Sequence, residues 1–290
     1  MYHTIDVDEL RSYCRKHIES LEHWARRLIH EQLTNKYGNN YFNAVNTNNE
    51  HIINKSIRQQ AERLLKASPQ RFNRLVDTLF LEDIIYFLCN HNFYKELFKQ
   101  ALDYSYPQGK DEVHEFLKRI IPIRNALCHS NPISIRQAEQ VICYCNDFIA
   151  GLKEYYTLKG TEKMWNVPCI IKATDSLGNV FLPEGTNYSS QHLDLRDKND
   201  FRIGDTYSVA IEVDPSFANE SYNIKWFEYE PYVDREDLYD SLRYSKTFEQ
   251  CNVAQTFAIY VDIVSKNNWH KFTSYDDRLI IFLTIFPPNV

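Results

Sequence analysis

Apolar residues recur at two different spacings in this chain, and the change falls near its middle. Over residues 10–28, and again over 135–152, they recur every three or four positions, which is the spacing of an amphipathic helix. Beyond Gly160 the spacing becomes two, as in the alternation of apolar and polar residues along 207–213. The pattern predicts a multidomain chain of the α then β class: an all-helical bundle followed by an antiparallel β-sandwich.

The helical domain is predicted to span residues 1–160 as an up-and-down bundle. Its first helix is expected at 6–34, and the asparagine-rich stretch that follows, up to Asn49, is expected to be a surface loop. Its last helix is expected to start at a capping box made by Ser134 and Gln137.

The β-sandwich is predicted to span residues 161–290. Trp226 on a central strand resembles the buried anchor of immunoglobulin-like domains, and Arg235–Tyr244 is predicted as a short helix inserted between strands. The seven predicted strands are Val167–Ala173, Asn179–Leu182, Gln191–Leu195, Tyr207–Val213, Tyr222–Phe227, Thr256–Val264 and Leu279–Phe286.

Composition excludes several classes of function. The chain has 7 glycines and neither of the glycine-rich motifs that cradle phosphates, which argues against a nucleotide-binding loop of that kind. Its 7 cysteines show no disulfide-framework spacing, so we expect free thiols in a cytoplasmic, reducing compartment. We also expect no signal peptide, no membrane-spanning segment, no metal ion and no cofactor.

Charge is distributed unevenly between the two halves. Residues 1–160 carry 21 Lys and Arg against 19 Asp and Glu, a net charge of +2, whereas 161–290 carry 12 against 20, a net charge of −8. An acidic surface is a poor partner for RNA, because RNA affinity depends largely on neutralised phosphates. Any RNA contact is therefore expected from basic groups of the first half, or these groups are simply a solvated helix face: Arg11, Arg15, Lys16, Arg26, Arg27, Lys118 and Arg119.

Residues 120–132, Ile-Ile-Pro-Ile-Arg-Asn-Ala-Leu-Cys-His-Ser-Asn-Pro, predict a buried helix that three polar residues interrupt. The helix is expected to run from about residue 111 to His129. Asn125 and His129 are four residues apart and so lie on one face, and the long side chain of Arg124 can swing to the same side. A guanidinium offers a planar fork to phosphate oxygens, and an imidazole transfers protons near neutral pH, so the cluster suits a phosphate-handling site.

The run from Arg124 to His129, with its polar exit Ser130-Asn131-Pro132, resembles the Arg-x(4–6)-His signature of the HEPN superfamily. The segments Leu79–Phe87 and Phe93–Phe98 also look like the helices that precede the motif in one HEPN branch. The resemblance covers roughly residues 5–158. Arg11 and His17 satisfy the same spacing, but we interpret them as surface residues of the first helix.

The resemblance implies a metal-independent endoribonuclease that acts as a toxin or an antiphage, abortive-infection effector. His129 would be the general acid or base, Arg124 would hold the phosphate oxygens, and Asn125 would orient the phosphate or fix the helix face. Lys118 and Arg119 would bind the RNA backbone. Attack by the ribose 2′-hydroxyl would leave a 2′,3′-cyclic phosphate and a 5′-hydroxyl. Two protomers would pair through the helical domain. The sandwich lies outside the resemblance; its acidic charge, its lack of a catalytic constellation and its fusion to a potential toxin predict that it binds a protein trigger or inhibitor.

Other interpretations of the same residues stay open from the sequence. Arg124 could form a structural ion pair with Asp83, Glu112 or Glu115, and His129 could only cap its helix. The chain would then be a non-catalytic HEPN dimerisation module, or an antitoxin-like partner whose sandwich binds a protein. A third interpretation makes the helical domain a nucleotide-binding regulator.

Overall fold

The computed structural model describes residues 6–68, 72, 74–182, 190–229 and 241–288. The chain divides into two compact units, Met1–Trp165 and Asn166–Val290. The sequence pattern put the boundary after residue 160; the structure puts it after the short helix Glu162–Trp165. The first unit is helical and the second is built from strands, so the predicted order of α then β is confirmed.

In the residues that the structure describes, the helical unit has three long helices and several short ones. Its elements are α1 (Val7–Tyr37), a 3₁₀ turn (Tyr41–Asn43), α2 (Lys55–Ala67), a 3₁₀ turn (Leu75–Thr78), α3 (Leu81–Cys89), α4 (His91–Phe93), a π-helical segment (Tyr94–Phe98), α5 (Lys99–Leu102), α6 (Lys110–Cys128), α7 (Ile135–Leu158) and α8 (Glu162–Trp165). Helix α1 packs along α7, and α3 packs along α6.

The apolar stripe of α1 is the centre of the helical core. Leu21, Trp24 and Leu28 are fully buried, as the three-to-four spacing predicted. The helix continues three residues past the predicted end and stops at Gly38, whose φ of 78° suits a residue without a Cβ atom. All six residues of the predicted stripe are buried: Leu10, Cys14, Ile18, Leu21, Ala25 and Leu28.

Two expectations for the helical unit are corrected. The asparagine-rich stretch is not wholly a surface loop, since Tyr41 and Phe42 are only 2% and 4% exposed. Two adjacent aromatic rings contribute enough apolar surface to enter the core despite their polar neighbours. His17 is not a surface residue of α1 either; it is 3% exposed and its ring lies edge-on to Tyr13, with 4.5 Å between ring centroids.

The second unit contains nine strands in two sheets among the residues that the structure describes. One sheet has the order β2-β1-β5-β7 and the other has the order β3-β9-β8-β6, with β4 also paired to β9. The strands are β1 (Ile170–Asp175), β2 (Val180–Phe181), β3 (Gln191–Asp194), β4 (Phe201–Arg202), β5 (Thr206–Val213), β6 (Tyr222–Tyr229), β7 (Arg243–Thr247), β8 (Ala254–Ser265) and β9 (Asp277–Phe286).

The five-stranded sheet is mixed rather than wholly antiparallel. Strands β3 and β4 run parallel to β9, with Gln191 opposite Leu279 and Phe201 opposite Ile285. Alternation of apolar residues reports which face of a strand is buried, but it carries no information about strand direction. All seven predicted strands are present with shifted ends, whereas β4 and β7 were not predicted.

One hydrophobic cluster draws its members from both sheets. Trp226 is its largest fully buried side chain; it stacks on Tyr244 at 5.2 Å between centroids and donates a hydrogen bond from Nε1 to the Ser241 carbonyl at 2.7 Å. The prediction that Trp226 is a core anchor is confirmed. The predicted helix at Arg235–Tyr244 is wrong at its end, where Arg243 begins β7; residues 235–240 lie outside the described part of the chain.

Candidate functional site

Helix α6 carries the polar motif on the side that the core leaves free. Ile120, Ile123 and Leu127 are 3% exposed or less and pack inward. At about 100° per residue, Asn125 lies roughly opposite this apolar stripe, and Lys118 falls within about 20° of Asn125. The helix continues through Pro122, which has no N–H and so leaves the Lys118 carbonyl without its helical hydrogen bond.

The turn that ends α6 fixes the backbone of His129. The His129 N–H donates to the Asn125 carbonyl at 3.1 Å, so the residue closes the last helical turn. Ser130 follows with a φ of 58°, and the Asn131 N–H reaches back to the Ala126 carbonyl at 2.8 Å. This is the hydrogen-bond pattern of a Schellman motif, with Ser130 in the left-handed position. The backbone of His129 is therefore fixed by hydrogen bonds, and its side chain is exposed to solvent.

Arg124 and Asn125 meet through their side chains. Arg124 Nη1 donates to Asn125 Oδ1 at 3.2 Å, which shows that the arginine swings towards the face of Asn125, as the sequence suggested. The guanidinium carbon also lies over the Phe80 ring, 5.7 Å from its centroid. Arg124 is half-buried, and it makes no ion pair with any carboxylate in the described part of the chain.

The three carboxylates that could have paired with Arg124 are occupied elsewhere. Asp83 accepts from Gln60 Nε2 and from the Phe80 N–H, both at 3.1 Å, and burial raises its pKa above the ordinary value. Glu112 accepts from the Gln108 N–H at 2.9 Å, and Glu115 lies 3.5 Å from the His114 ring. The fold therefore leaves the Arg124 charge facing an amide and an aromatic ring.

The other two predicted site residues differ in position. Arg119 contacts α7, where its Nη1 donates to the Tyr144 hydroxyl at 3.3 Å and its guanidinium lies over the Phe116 ring. This hydrogen bond raises the pKa of the Arg119 guanidinium above its ordinary value. Arg124 instead faces Phe80 at the start of α3, so the structure does not bring Arg119 to it. Lys118 is exposed on the same face as Asn125.

The basic residues of α1 separate into two groups. Arg26 is held by Glu22 at 2.7 Å and by the Leu79 carbonyl at 2.6 Å, and Arg27 lies over the Trp24 ring at 4.6 Å. Arg15, by contrast, reaches the motif: its Nη2 donates to the Leu127 carbonyl at 3.3 Å, at the end of α6. The sequence placed Arg15 in a basic group of the first helix, but nothing in the sequence linked α1 to this end of α6.

Phe80 is the second residue of the site that sequence reasoning missed. The sequence places it in the helix-like segment Leu79–Phe87, whereas the structure puts it just before α3, beside Arg124. A signal existed, because the acidic pair Glu82-Asp83 is typical of the first turn of a helix.

Several further features of the described residues bear on the class of protein. They contain no group of three or more His, Cys, Asp or Glu side chains with the geometry of a metal site. All seven cysteines are free thiols. None of the helices in the described ranges combines the length and the apolar character that crossing a membrane requires.

Comparison with known proteins adds no identification. A scan of known protein families finds none that matches this chain, and a search of curated proteins finds no similar sequence.

Proposed function

We propose that this chain is a metal-independent endoribonuclease of HEPN type, in which Arg124 and His129 cleave RNA through the ribose 2′-hydroxyl. The observation that carries the proposal is the state of Arg124: a half-buried guanidinium that makes no ion pair within the described residues and lies five residues before an exposed histidine at the end of the same helix. A half-buried cation without an anion keeps a charge that the protein does not neutralise. A site that receives a phosphate supplies the missing anion when substrate binds.

The roles follow from the chemistry of the groups. Arg124 binds the non-bridging phosphate oxygens and stabilises the charge that develops on the pentacoordinate phosphorus. Asn125 holds the guanidinium through its amide oxygen. His129 transfers a proton, either from the attacking 2′-hydroxyl or to the leaving 5′-oxygen, a contribution of about 10² to 10⁴ in rate. The products are a 2′,3′-cyclic phosphate and a 5′-hydroxyl.

A homodimer supplies the second proton-transfer group. The reaction needs both a base and an acid, and the motif of one protomer offers one imidazole. Pairing two helical domains so that both motifs line one cleft would place two His129 and two Arg124 side chains around one phosphate. Two exposed residues support this arrangement: His129 at the end of α6, and Ile135, six residues further along the chain, which is an apolar residue with 42% of its surface exposed.

The second unit is the sensing half in this proposal. Its two sheets share one hydrophobic cluster, which supports a β-sandwich, and its half of the sequence carries a net charge of −8, which disfavours an RNA-binding role. We assign it to a protein trigger or inhibitor that controls a cytoplasmic toxin or antiphage effector. Deletion of residues 166–290 should therefore change the control of cleavage.

A ribonuclease assay with two histidine variants tests the proposal. His129→Ala should reduce cleavage by about 10² to 10⁴. His51→Ala is the matched control, because His51 is also an exposed histidine of the helical unit but lies outside the motif. Equal activity of wild type and His129→Ala would reject the nuclease and leave a non-catalytic HEPN dimerisation module or an antitoxin-like partner as the function.

A further inference from the structure

Phe80 is an exposed aromatic residue at the start of α3. It occupies the N-cap of α3, a position where Ser, Thr, Asp or Asn is favoured, and its side chain is 40% exposed. The ring cannot accept a hydrogen bond from the first-turn N–H groups, and Asp83 supplies only the reciprocal half of a capping box, accepting from the Phe80 N–H at 3.1 Å. The ring therefore caps no helix, and 40% of the Phe80 surface stays open to solvent.

The backbone that carries the ring is held on both sides. The preceding carbonyl, that of Leu79, accepts from Arg26 Nη2 at 2.6 Å and from Arg26 Nε at 3.2 Å. The Phe80 carbonyl accepts from the Ile84 N–H at 2.9 Å. An exposed aromatic group on such a fixed backbone can bind a flat partner with little loss of conformational entropy.

The partner is indicated by the charge beside the ring. Arg124 lies over Phe80 at 5.7 Å from the ring centroid and makes no ion pair in the described ranges. An aromatic ring can stack on a nucleobase, and the neighbouring guanidinium can bind a phosphate. Together they suit a nucleotide unit as the ligand. Single-stranded RNA is bound in this way elsewhere, through unstacked bases on aromatic side chains and phosphates on cations.

We propose that Phe80 stacks the nucleobase adjacent to the phosphate held by Arg124, so that the chain selects unpaired RNA. This inference rests on the proposed nuclease function and adds the substrate class. Bases inside a duplex are already stacked on their neighbours and offer no face to the ring, whereas loops and single strands do.

A positioning role for Phe80 makes a different prediction. A ring that only supports the Arg124 guanidinium would matter equally for every substrate. A ring that stacks a base matters only when that base is present. An oligoribonucleotide with an abasic residue beside the cleaved linkage separates the two roles.

The test compares intact and abasic single-stranded oligoribonucleotides. Wild type should cleave the intact substrate about tenfold to hundredfold faster in kcat/KM than the abasic one. Phe80→Ala should lose this preference and cleave both at the slower rate, while Phe80→Trp should keep it. Tyr104→Ala is the matched control, since Tyr104 is an exposed aromatic residue of the same unit, 67% exposed, and should behave as wild type.

Two results would overturn the inference while leaving the nuclease intact: full activity of Phe80→Ala on the intact substrate, or an equal loss on both substrates. Failure of the nuclease itself is distinguishable, because wild type would then cleave neither RNA. In that case the Kd for a 2′-deoxy analogue decides. Tighter binding of the intact than of the abasic analogue, abolished in Phe80→Ala, supports stacking; equal Kd values refute it.

Discussion

Arg124 of the helical unit and Arg278 of the strand unit are alike in surroundings and opposite in pairing. Both guanidiniums are half-buried and lie over aromatic rings, Phe80 for Arg124 and Tyr275 for Arg278. Arg278 also forms two hydrogen bonds with Asp262, at 2.6 and 2.7 Å. Arg124 has an amide oxygen at 3.2 Å instead.

Under the proposed function, the difference separates a structural charge, that of Arg278, from one that binds the substrate phosphate, that of Arg124. Asp262 is only 6% exposed and lies directly opposite Arg278 in the β8–β9 register, so the pair is neutralised inside the sheet. The Arg124 charge is not neutralised by any carboxylate in the described residues. Removing Arg124 should therefore lower activity and leave stability nearly unchanged. Removing Arg278 should lower stability and leave activity nearly unchanged.

The largest effect is expected for Arg124→Ala, which should reduce RNA cleavage by about 10² to 10³ because the developing phosphate charge loses its partner. The free energy of unfolding should change by less than about 0.5 kcal/mol. Arg124→Lys keeps the charge without the planar fork, so its cleavage rate should lie between those of wild type and Arg124→Ala. Cleavage rates and urea denaturation of the same preparations measure both quantities. A large loss of stability with unchanged cleavage per folded molecule would break the comparison.

Arg278→Ala should show the reverse, a destabilisation of about 3 kcal/mol, since it leaves the Asp262 carboxylate buried without its partner. The denaturant midpoint of the full chain measures it. The double variant Asp262→Ala/Arg278→Ala is the control and should lose less than the sum of the single variants. A single-variant cost below about 1 kcal/mol would mean that the pair is not structural.

Ser134→Ala tests the turn between the motif and α7 and should cost about 1 kcal/mol. Ser134 Oγ accepts from the Gln137 N–H at 3.2 Å, and the Ser134 N–H donates to Gln137 Oε1 at 2.8 Å. Ser134→Asn retains a capping oxygen and should remain near wild type. Thermal unfolding measures the loss, and a drop in cleavage below the melting range would instead connect this cap to the site.

The smallest effect is expected for His30, a half-buried histidine of α1. Burial, with a smaller contribution from the Arg74 cation, lowers the pKa of His30 below its ordinary value of 6.5. The unfolded chain therefore binds this proton at a higher pH than the folded chain does. As the pH falls from 6.5 to the lowered pKa of the folded state, the free energy of unfolding decreases. His30→Gln should make the pH dependence shallower over this window. Denaturation at a series of pH values measures it, and identical profiles would contradict the pKa direction.

The helices and strands were readable from the sequence where the pattern was long. The stripe of α1, the capping box of Ser134 and the alternation along β5 all depend on neighbours within a few residues, and the structure confirms each. The parallel pairing of β3 with β9 joins segments far apart in the chain. Local pattern cannot encode it.

The same limit applies to the candidate site. Arg124, Asn125 and His129 lie on one helix, so their proximity followed from helical geometry. Arg15 and Phe80 reach the motif from α1 and from the start of α3, through packing between helices. Residues that approach from another element become visible only when the fold is known.

Product analysis on a defined oligonucleotide tests the central claim most directly. The substrate is a DNA oligomer with one ribonucleotide, incubated in chelator with wild type, Arg124→Ala or His129→Ala. Wild type should cut at the ribonucleotide alone and leave a 2′,3′-cyclic phosphate and a 5′-hydroxyl, while both variants should leave the oligomer nearly intact. A 3′-hydroxyl with a 5′-phosphate, or equal cutting by wild type and His129→Ala, would contradict the account.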